Sequence, residues 1–181
     1  MPDVFLSPST QEYNPYYDGG GSEEYYMNVI TDELIPYLEA SGISYGRNDP
    51  SGTFLDSVRQ SNADDYSLHL ALHSNAAPEQ SAGRVRGSQV YYYPYSPRGK
   101  RAADIFAGRI KEIYPLSGRV ETVPTTALGE IVKTKAPAVL IEIAYHDNPQ
   151  DAEWIRDNID EIAQAVALGI GDYFGKEIKQ N

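Results

Sequence analysis

Short runs of apolar residues alternate along the chain with longer stretches in which apolar residues recur every three or four positions. The short runs predict strands, and the longer stretches predict helices that bury one face. Predicted strands cover residues 4–7, 43–46, 67–73 and 89–95, and a fifth apolar run starts at 136. Predicted helices cover 23–42, 54–63 and 97–115, followed by a short helix after 149 and a last helix after 158.

This alternation predicts an α/β fold, with a mostly parallel twisted sheet and helices on both faces. The length of 181 residues fits a single domain spanning residues 1–181. The stretch 116–136 has the weakest periodicity, so we expect a loop there. Asn158 and Glu161 have the spacing of a capping box and are expected to start the last helix.

The fifth apolar run carries a single carboxylate, Glu142. An uncompensated carboxylate in a protein interior costs several kcal/mol, so Glu142 needs a cation, a group of donors or a functional cleft beside it. The alternative is a strand end at which Glu142 reaches solvent or an arginine. Ligands of parallel sheets bind beyond the carboxyl ends of the strands, where Ser7, His73 and Glu142 are all expected.

Composition narrows the possible functions. A formal net charge of −11 argues against nucleic acid as a partner, because nucleic-acid affinity comes largely from Lys and Arg. No stretch is long and apolar enough to span a membrane, and the first residues lack the features of a secretory signal, so the sequence predicts no membrane association and leaves the export route open. Without cysteine, any metal must be bound by His, Asp or Glu, and the only histidines are His69, His73 and His146.

Four segments occur in the order of motifs from one enzyme family. The segments are Glu24 with Asn28, Arg59 with Asn62 and Ala63, Leu72–Ala76 and Pro137–Tyr145. The third is similar to a strand ending in His, followed by a small residue, Asn and Ala, and the fourth is similar to P-A-V-L-V-E-x-G-F. Together they resemble the zinc-dependent N-acetylmuramoyl-L-alanine amidases called amidase type 3.

The resemblance implies a peptidoglycan hydrolase that cleaves the amide between N-acetylmuramic acid and L-alanine of the stem peptide. It also implies that Glu24 and His73 bind one zinc ion and that Glu142 is the general base. This chemistry is sound on independent grounds, because a metal lowers the pKa of bound water and a nearby carboxylate transfers protons.

One motif departs from the family pattern. The first strand of the family ends in D-P-G-H-G, whose His is a third ligand, whereas this chain has Thr10 at that position. A catalytic zinc normally has three protein ligands, so another residue is needed. His146 is the expected substitute because it follows Glu142 by four residues, whereas His69 in mid-strand is expected to be structural.

Asn75, Tyr16 and Tyr17 are candidate substrate-binding residues, the two tyrosines because a long loop carries them. The predicted partner is peptidoglycan, with the bacterial cell wall as the place of action. An alternative function of another class is an amidase-like domain without metal that binds cell-wall fragments or a protein partner.

Overall fold

A computed structural model describes residues 2–179 of the chain. The six strands are β1 Val4–Pro8, β2 Tyr45–Arg47, β3 Leu68–Asn75, β4 Ser88–Tyr92, β5 Val120–Pro124 and β6 Ala138–Tyr145. The six α-helices are α1 Glu23–Ala40, α2 Phe54–Ala63, α3 Pro97–Ile113, α4 Gly129–Val132, α5 Pro149–Asp157 and α6 Ile159–Phe174.

The strands form one sheet in the order β2-β1-β3-β6-β4-β5. All neighbouring strands are parallel except β4 and β6, which pair antiparallel. This arrangement confirms the predicted α/β fold with a mostly parallel sheet. It also places β1, β3 and β6 side by side at the centre, so that their carboxyl ends lie at the same edge.

Helices cover both faces of the sheet. A large apolar core lies between one face and α1, α3, α5 and α6, with Leu34, Phe106 and Val166 among its buried side chains. A smaller cluster on the opposite face contains Ala71 and Leu140 of the sheet. Because α2 and α4 pack over this second face, a cleft forms between them and the strand ends.

Two expectations about local structure are wrong. The stretch 116–136, expected to be a loop, contains β5 and α4, whose short lengths leave little periodicity to recognise. The side chain of Asn158 does not cap α6 but donates a hydrogen bond to the carbonyl of Trp154. Since α5 ends immediately before it, the backbone of Asn158 lacks the extended conformation of an ordinary N-cap.

The long loop between β1 and α1 is anchored by a cation from α5. Arg156 forms an ion pair with Asp18 at 2.6 Å, and its guanidinium lies over the rings of Tyr16, Tyr17 and Tyr26. Across residues 2–179, no helix combines the length and apolar character that crossing a membrane requires.

Candidate active site

The ends of β3 and β6 bring His73 and Glu142 together. The two residues are paired in register across these parallel strands, so their side chains lie on the same face of the sheet. Both line a cleft of about 650 Å³ that also contains residues of the β1 end, the start of α2 and the segment before α4. The sheet topology therefore builds this site from segments that are far apart in sequence.

His73 lies between two buried carboxylates. Its Nδ1 is 2.7 Å from Glu23 Oε1, and its Nε2 is 3.1 Å from Glu130 Oε2. Burial lowers the pKa of His73, but the hydrogen bonds and charges of Glu130 and Glu23 outweigh burial and raise this pKa well above its ordinary value. Burial raises the pKa of Glu23, but the hydrogen bond and the charge of His73, together with hydrogen bonds from Asn14 and Ser9, outweigh burial and lower this pKa.

Glu130 binds more than His73. Its Oε1 accepts a hydrogen bond from the Ser7 hydroxyl and lies 3.3 Å from His69 Nε2, while His69 Nδ1 lies 2.9 Å from Ser61 Oγ. Burial raises the pKa of Glu130, but the hydrogen bonds from His69 and His73 outweigh it and lower this pKa. A connected polar network therefore supports His73 at its Nε2.

Two amide side chains contact Glu23 from the loop after β1. Gln11 Nε2 lies 3.4 Å from Glu23 Oε1 and 3.3 Å from His73 Nδ1. Asn14 Nδ2 donates to Glu23 Oε2 at 2.8 Å and to Gln11 Oε1 at 3.0 Å. The donation by Asn14 fixes the Gln11 amide with its nitrogen toward the carboxylate.

Glu142 differs from the other carboxylates of the site. Its Oε2 is buried and has no hydrogen-bond partner among residues 2–179. Burial raises the pKa of Glu142 to about 7. The positive charge of His73 opposes this rise, and the negative charge of Glu23 adds to it. A buried carboxyl with a pKa near neutrality can accept and return a proton at physiological pH.

In two places the residue that contacts His73 is the sequence neighbour of the residue that the motifs predicted. Glu23 contacts His73, whereas the Glu24 carboxylate receives a hydrogen bond from Asn28 at 3.3 Å. Thr10 lines the cleft, but Gln11 is the residue whose side chain reaches His73. The structure therefore brings together His73 and Glu142 of the predicted residues, whereas the Glu24 side chain is hydrogen-bonded to Asn28.

His146 lies apart from this group. Its Nδ1 is 3.0 Å from Ser74 Oγ and 2.8 Å from the Ser74 carbonyl, and its ring stacks on Tyr16 at 5.3 Å between centroids. Since Ser74 follows His73 on the strand, its side chain points to the opposite face. The His146 side chain therefore contacts Ser74 and does not approach His73 as the sequence predicted.

The candidate substrate-binding residues also lie outside the cleft lining. Tyr16 is 1% exposed and packs in the core, so its ring is not available to a ligand. Tyr17 is exposed and donates to Glu153, while Asn75 donates to Gln89 on β4.

Three residues of the site were missed from the sequence: Gln11, Glu23 and Glu130. Glu23 and Gln11 each lie one position from a residue that the motifs indicated, so the motif alignment was displaced by one residue in both cases. Glu130 lies in the aperiodic stretch before β6, where neither pattern nor motif indicated a role.

His73 and Glu23 are suited to be two protein ligands of a zinc ion. His73 Nδ1 and Glu23 are ligand types that zinc takes, and Glu130 holds the other ring nitrogen as carboxylates commonly do for metal-binding histidines. Among residues 2–179 no three His, Asp or Glu side chains are arranged to hold a metal ion. The third side chain at this position is the Gln11 amide.

Comparison with known proteins agrees with the geometry. The family model described as N-acetylmuramoyl-L-alanine amidase matches residues 10–172, and this family is generally zinc-dependent. The chain is 27% identical over 179 residues to the N-acetylmuramoyl-L-alanine amidase LytC of Bacillus subtilis, covering 94% of this chain and 35% of LytC. It is 30% identical over 156 residues to the probable cell wall amidase LytH of Staphylococcus aureus, covering 84% of this chain and 50% of LytH.

Solved structures share the fold. The amidase AmiC2 of Nostoc punctiforme superposes with a TM-score of 0.83 at 20% identity, covering 96% of this chain and 97% of AmiC2. An amidase of Clostridium difficile 630 superposes with a TM-score of 0.85 at 17% identity, covering 97% of each chain. The match of the family model over most of the sequence shows that the chain belongs to the N-acetylmuramoyl-L-alanine amidase family, amidase type 3.

Proposed function

We propose that this chain hydrolyses the amide bond between N-acetylmuramic acid and the L-alanine of the peptidoglycan stem peptide. The observation that carries the proposal is the Glu142 carboxylate, which lies in the cleft beside His73 with its Oε2 buried and unpaired in the described part of the chain. Because the chain spans 35% of LytC and 50% of LytH, the activity is proposed for this domain and not for a longer protein.

Glu142 has the properties of a general base. A carboxylate with a pKa of about 7 accepts a proton from the attacking water and remains acidic enough to return it to the departing amine. His73 lines the cleft next to Glu142, and Glu23 contacts His73 at 2.7 Å. The charge of His73 keeps this part of the wall polar where the scissile amide is expected to bind.

A zinc ion would be held by Glu23 and His73, with the Gln11 side chain as the third neighbour. When bound, such an ion polarises a carbonyl and lowers the pKa of bound water. The protein contributes the buried carboxylates that balance a cation, and Glu130 supports His73 through its other ring nitrogen.

The substitution Glu142→Gln tests the proposed general base. The variant keeps the shape of the side chain but cannot accept a proton, so we expect hydrolysis of purified peptidoglycan to fall by about 100-fold or more. Release of new amino groups measures the reaction. Glu33→Gln, on the exposed face of α1, is the matched control and should retain activity, whereas unchanged turnover in Glu142→Gln would rule out Glu142 as the base.

A second candidate function is a domain without metal that binds cell-wall fragments or a protein partner. It is favoured by Gln11, whose amide nitrogen points at Glu23 and His73 in place of a third ligand of the usual kind. Mass spectrometry of the intact protein after zinc loading distinguishes the two functions. One ion per chain supports the hydrolase, and binding of stem peptide or glycan fragments by a chain that takes up none supports the binding domain.

The proposed place of action is the bacterial cell wall, since peptidoglycan is the substrate of the proposed reaction. LytH, one of the relatives, is itself named a probable cell wall amidase. Among the solved structures is the CwlD amidase of Clostridioides difficile in complex with the GerS lipoprotein, a precedent within the fold for a protein partner.

A further inference from the structure

Glu130 is a buried carboxylate outside the groups that act directly in the proposed reaction, and it contacts one of them, His73. It is 5% exposed and belongs to α4, a single turn of helix between the cleft and the start of β6. Its two oxygens face three donors, the ring nitrogens of His69 and His73 and the hydroxyl of Ser7. A buried carboxylate with this number of donors is held in one orientation.

The contact with Glu130 fixes which ring nitrogen of His73 points toward Glu23. Glu130 as a carboxylate only accepts hydrogen bonds, so the proton between the two residues lies on His73 Nε2. The remaining nitrogen, Nδ1, then points at Glu23 and Gln11. The partner of one ring nitrogen generally sets the role of the other.

The rest of the network holds Glu130 itself. His69 is fully buried, with Nδ1 2.9 Å from Ser61 Oγ on α2 and Nε2 3.3 Å from Glu130 Oε1. Ser7, at the end of β1, stands where the family motif has Asp, and its hydroxyl donates to Glu130. A carboxylate therefore reaches the end of the first strand from α4, more than a hundred residues later in the chain.

We propose that Glu130 is a positioning residue for His73: it holds the proton on Nε2 and fixes the ring so that Nδ1 faces the reaction centre. This role rests on the proposed amidase function in so far as His73 acts in that reaction. Glu130 itself takes no part in bond making or breaking.

Nitrogen-15 NMR of the imidazole rings in the full chain tests the proposal independently of activity. Only three histidines contribute signals, and a His146→Gln variant together with a Ser61→Ala variant assigns them. We expect His73 Nε2 to carry a slowly exchanging proton both with and without added zinc. If this nitrogen is unprotonated in the unsubstituted protein, the proposal is overturned without any variant.

The variant Glu130→Gln replaces the acceptor by an amide of the same shape, and we expect the slow exchange of the Nε2 proton to be lost. Ser61→Ala, which removes only the support of His69, should leave the His73 signal unchanged, as should Glu33→Gln. Retention of the slowly exchanging proton in Glu130→Gln contradicts the proposal. If this variant does not fold, the spectrum of the unsubstituted protein decides.

Kinetics give a second readout. We expect Glu130→Gln to lower kcat by about 10- to 100-fold with little change in KM, the usual effect of removing a support of a site histidine. A rise in KM at constant kcat would indicate a role in substrate binding and overturn positioning. Because the NMR result does not depend on turnover, failure of the amidase function and failure of the Glu130 role are distinguishable.

Discussion

Glu142, the proposed general base, is a side chain whose burial opposes folding. Burial raises the pKa of this carboxyl from 4.5 to about 7, so the ionised form is disfavoured in the folded chain. In the unfolded chain the group ionises at its ordinary pKa. The stability of the folded state therefore falls as the pH rises from about 4.5 through about 7, and the loss is complete above that range.

This reasoning predicts the stability of Glu142→Gln in metal-free protein. At about pH 8 the variant should be more stable than the unsubstituted chain by about 3 kcal/mol, since it buries no charge. At about pH 4.5 the two proteins should have similar stability. Urea unfolding at both pH values measures the difference, and an advantage of the same size at both would contradict a raised pKa for Glu142.

Gln11 leads to a prediction about metal affinity. Its side chain reaches Glu23 and His73, whereas Thr10, at the motif position of the missing histidine, has no such contact among residues 2–179. We expect Gln11→His to complete a three-ligand site and to tighten zinc binding by at least about 10-fold. Calorimetric titration measures the affinity.

Thr10→His is the matched control for Gln11→His, because it adds the same side chain one position earlier. We expect it to leave zinc affinity unchanged. If Thr10→His binds zinc more tightly and Gln11→His does not, the motif alignment identifies the ligand position better than the side-chain contacts.

At the scale of single residues, sequence patterns identify only part of the candidate site. His73 and Glu142 could be predicted because each ends or interrupts an apolar strand, which makes a polar residue conspicuous. Glu23 could not be separated from Glu24, because both occupy the first turn of α1 and the choice depends on where that helix starts. Glu130 could not be predicted, since its three partners lie on two other strands, β1 and β3.

Among the elements, the loop between β1 and α1 depends on α5 for its conformation. Arg156 pairs with Asp18 and lies over three tyrosine rings, which explains why a loop of this length is ordered. The pairing also holds the pKa of Asp18 below its usual range, because Arg156 donates hydrogen bonds to that carboxylate. Since Gln11 and Asn14 belong to the same loop, the anchor also holds the contacts to Glu23 in place.

We expect Arg156→Ala to destabilise the protein by about 1 kcal/mol, from loss of the cation–π contacts, and to make the loop several-fold more sensitive to limited proteolysis. Arg109→Ala, which removes an ion pair between α3 and α6, is the control and should leave the loop resistant. Equal proteolysis of the two variants would mean that Arg156 does not anchor the loop.

Element boundaries show where sequence patterns are informative. The apolar strands β1, β3 and β6 and the helices α1, α2 and α3 were predicted because each has a strong pattern or a recognisable cap. β5 and α4 were missed because β5 is an edge strand with half-exposed residues and α4 is a single turn. The side chain of Glu130 reaches the site from α4, so missing the element also meant missing the residue.

For the whole molecule, the order of strands decides where the candidate site lies. The arrangement β1-β3-β6 at the centre of the sheet brings Ser7, His73 and Glu142 to one edge, and α2 and α4 close one side of the cleft. This architecture follows from the alternation of strands and helices, which sequence patterns predict well. The identity of the third group beside His73 does not follow from it, because it depends on the path of one loop.

The position of the bond that is cut tests the central claim most directly. A synthetic N-acetylmuramoyl pentapeptide incubated with the zinc-loaded chain should yield free N-acetylmuramic acid and a peptide with L-alanine at its amino terminus, as identified by mass spectrometry. Glu142→Gln should yield neither product. Cleavage within the peptide, or intact substrate in the presence of a chain that holds one zinc ion, would contradict the assignment of the site as an N-acetylmuramoyl-L-alanine amidase.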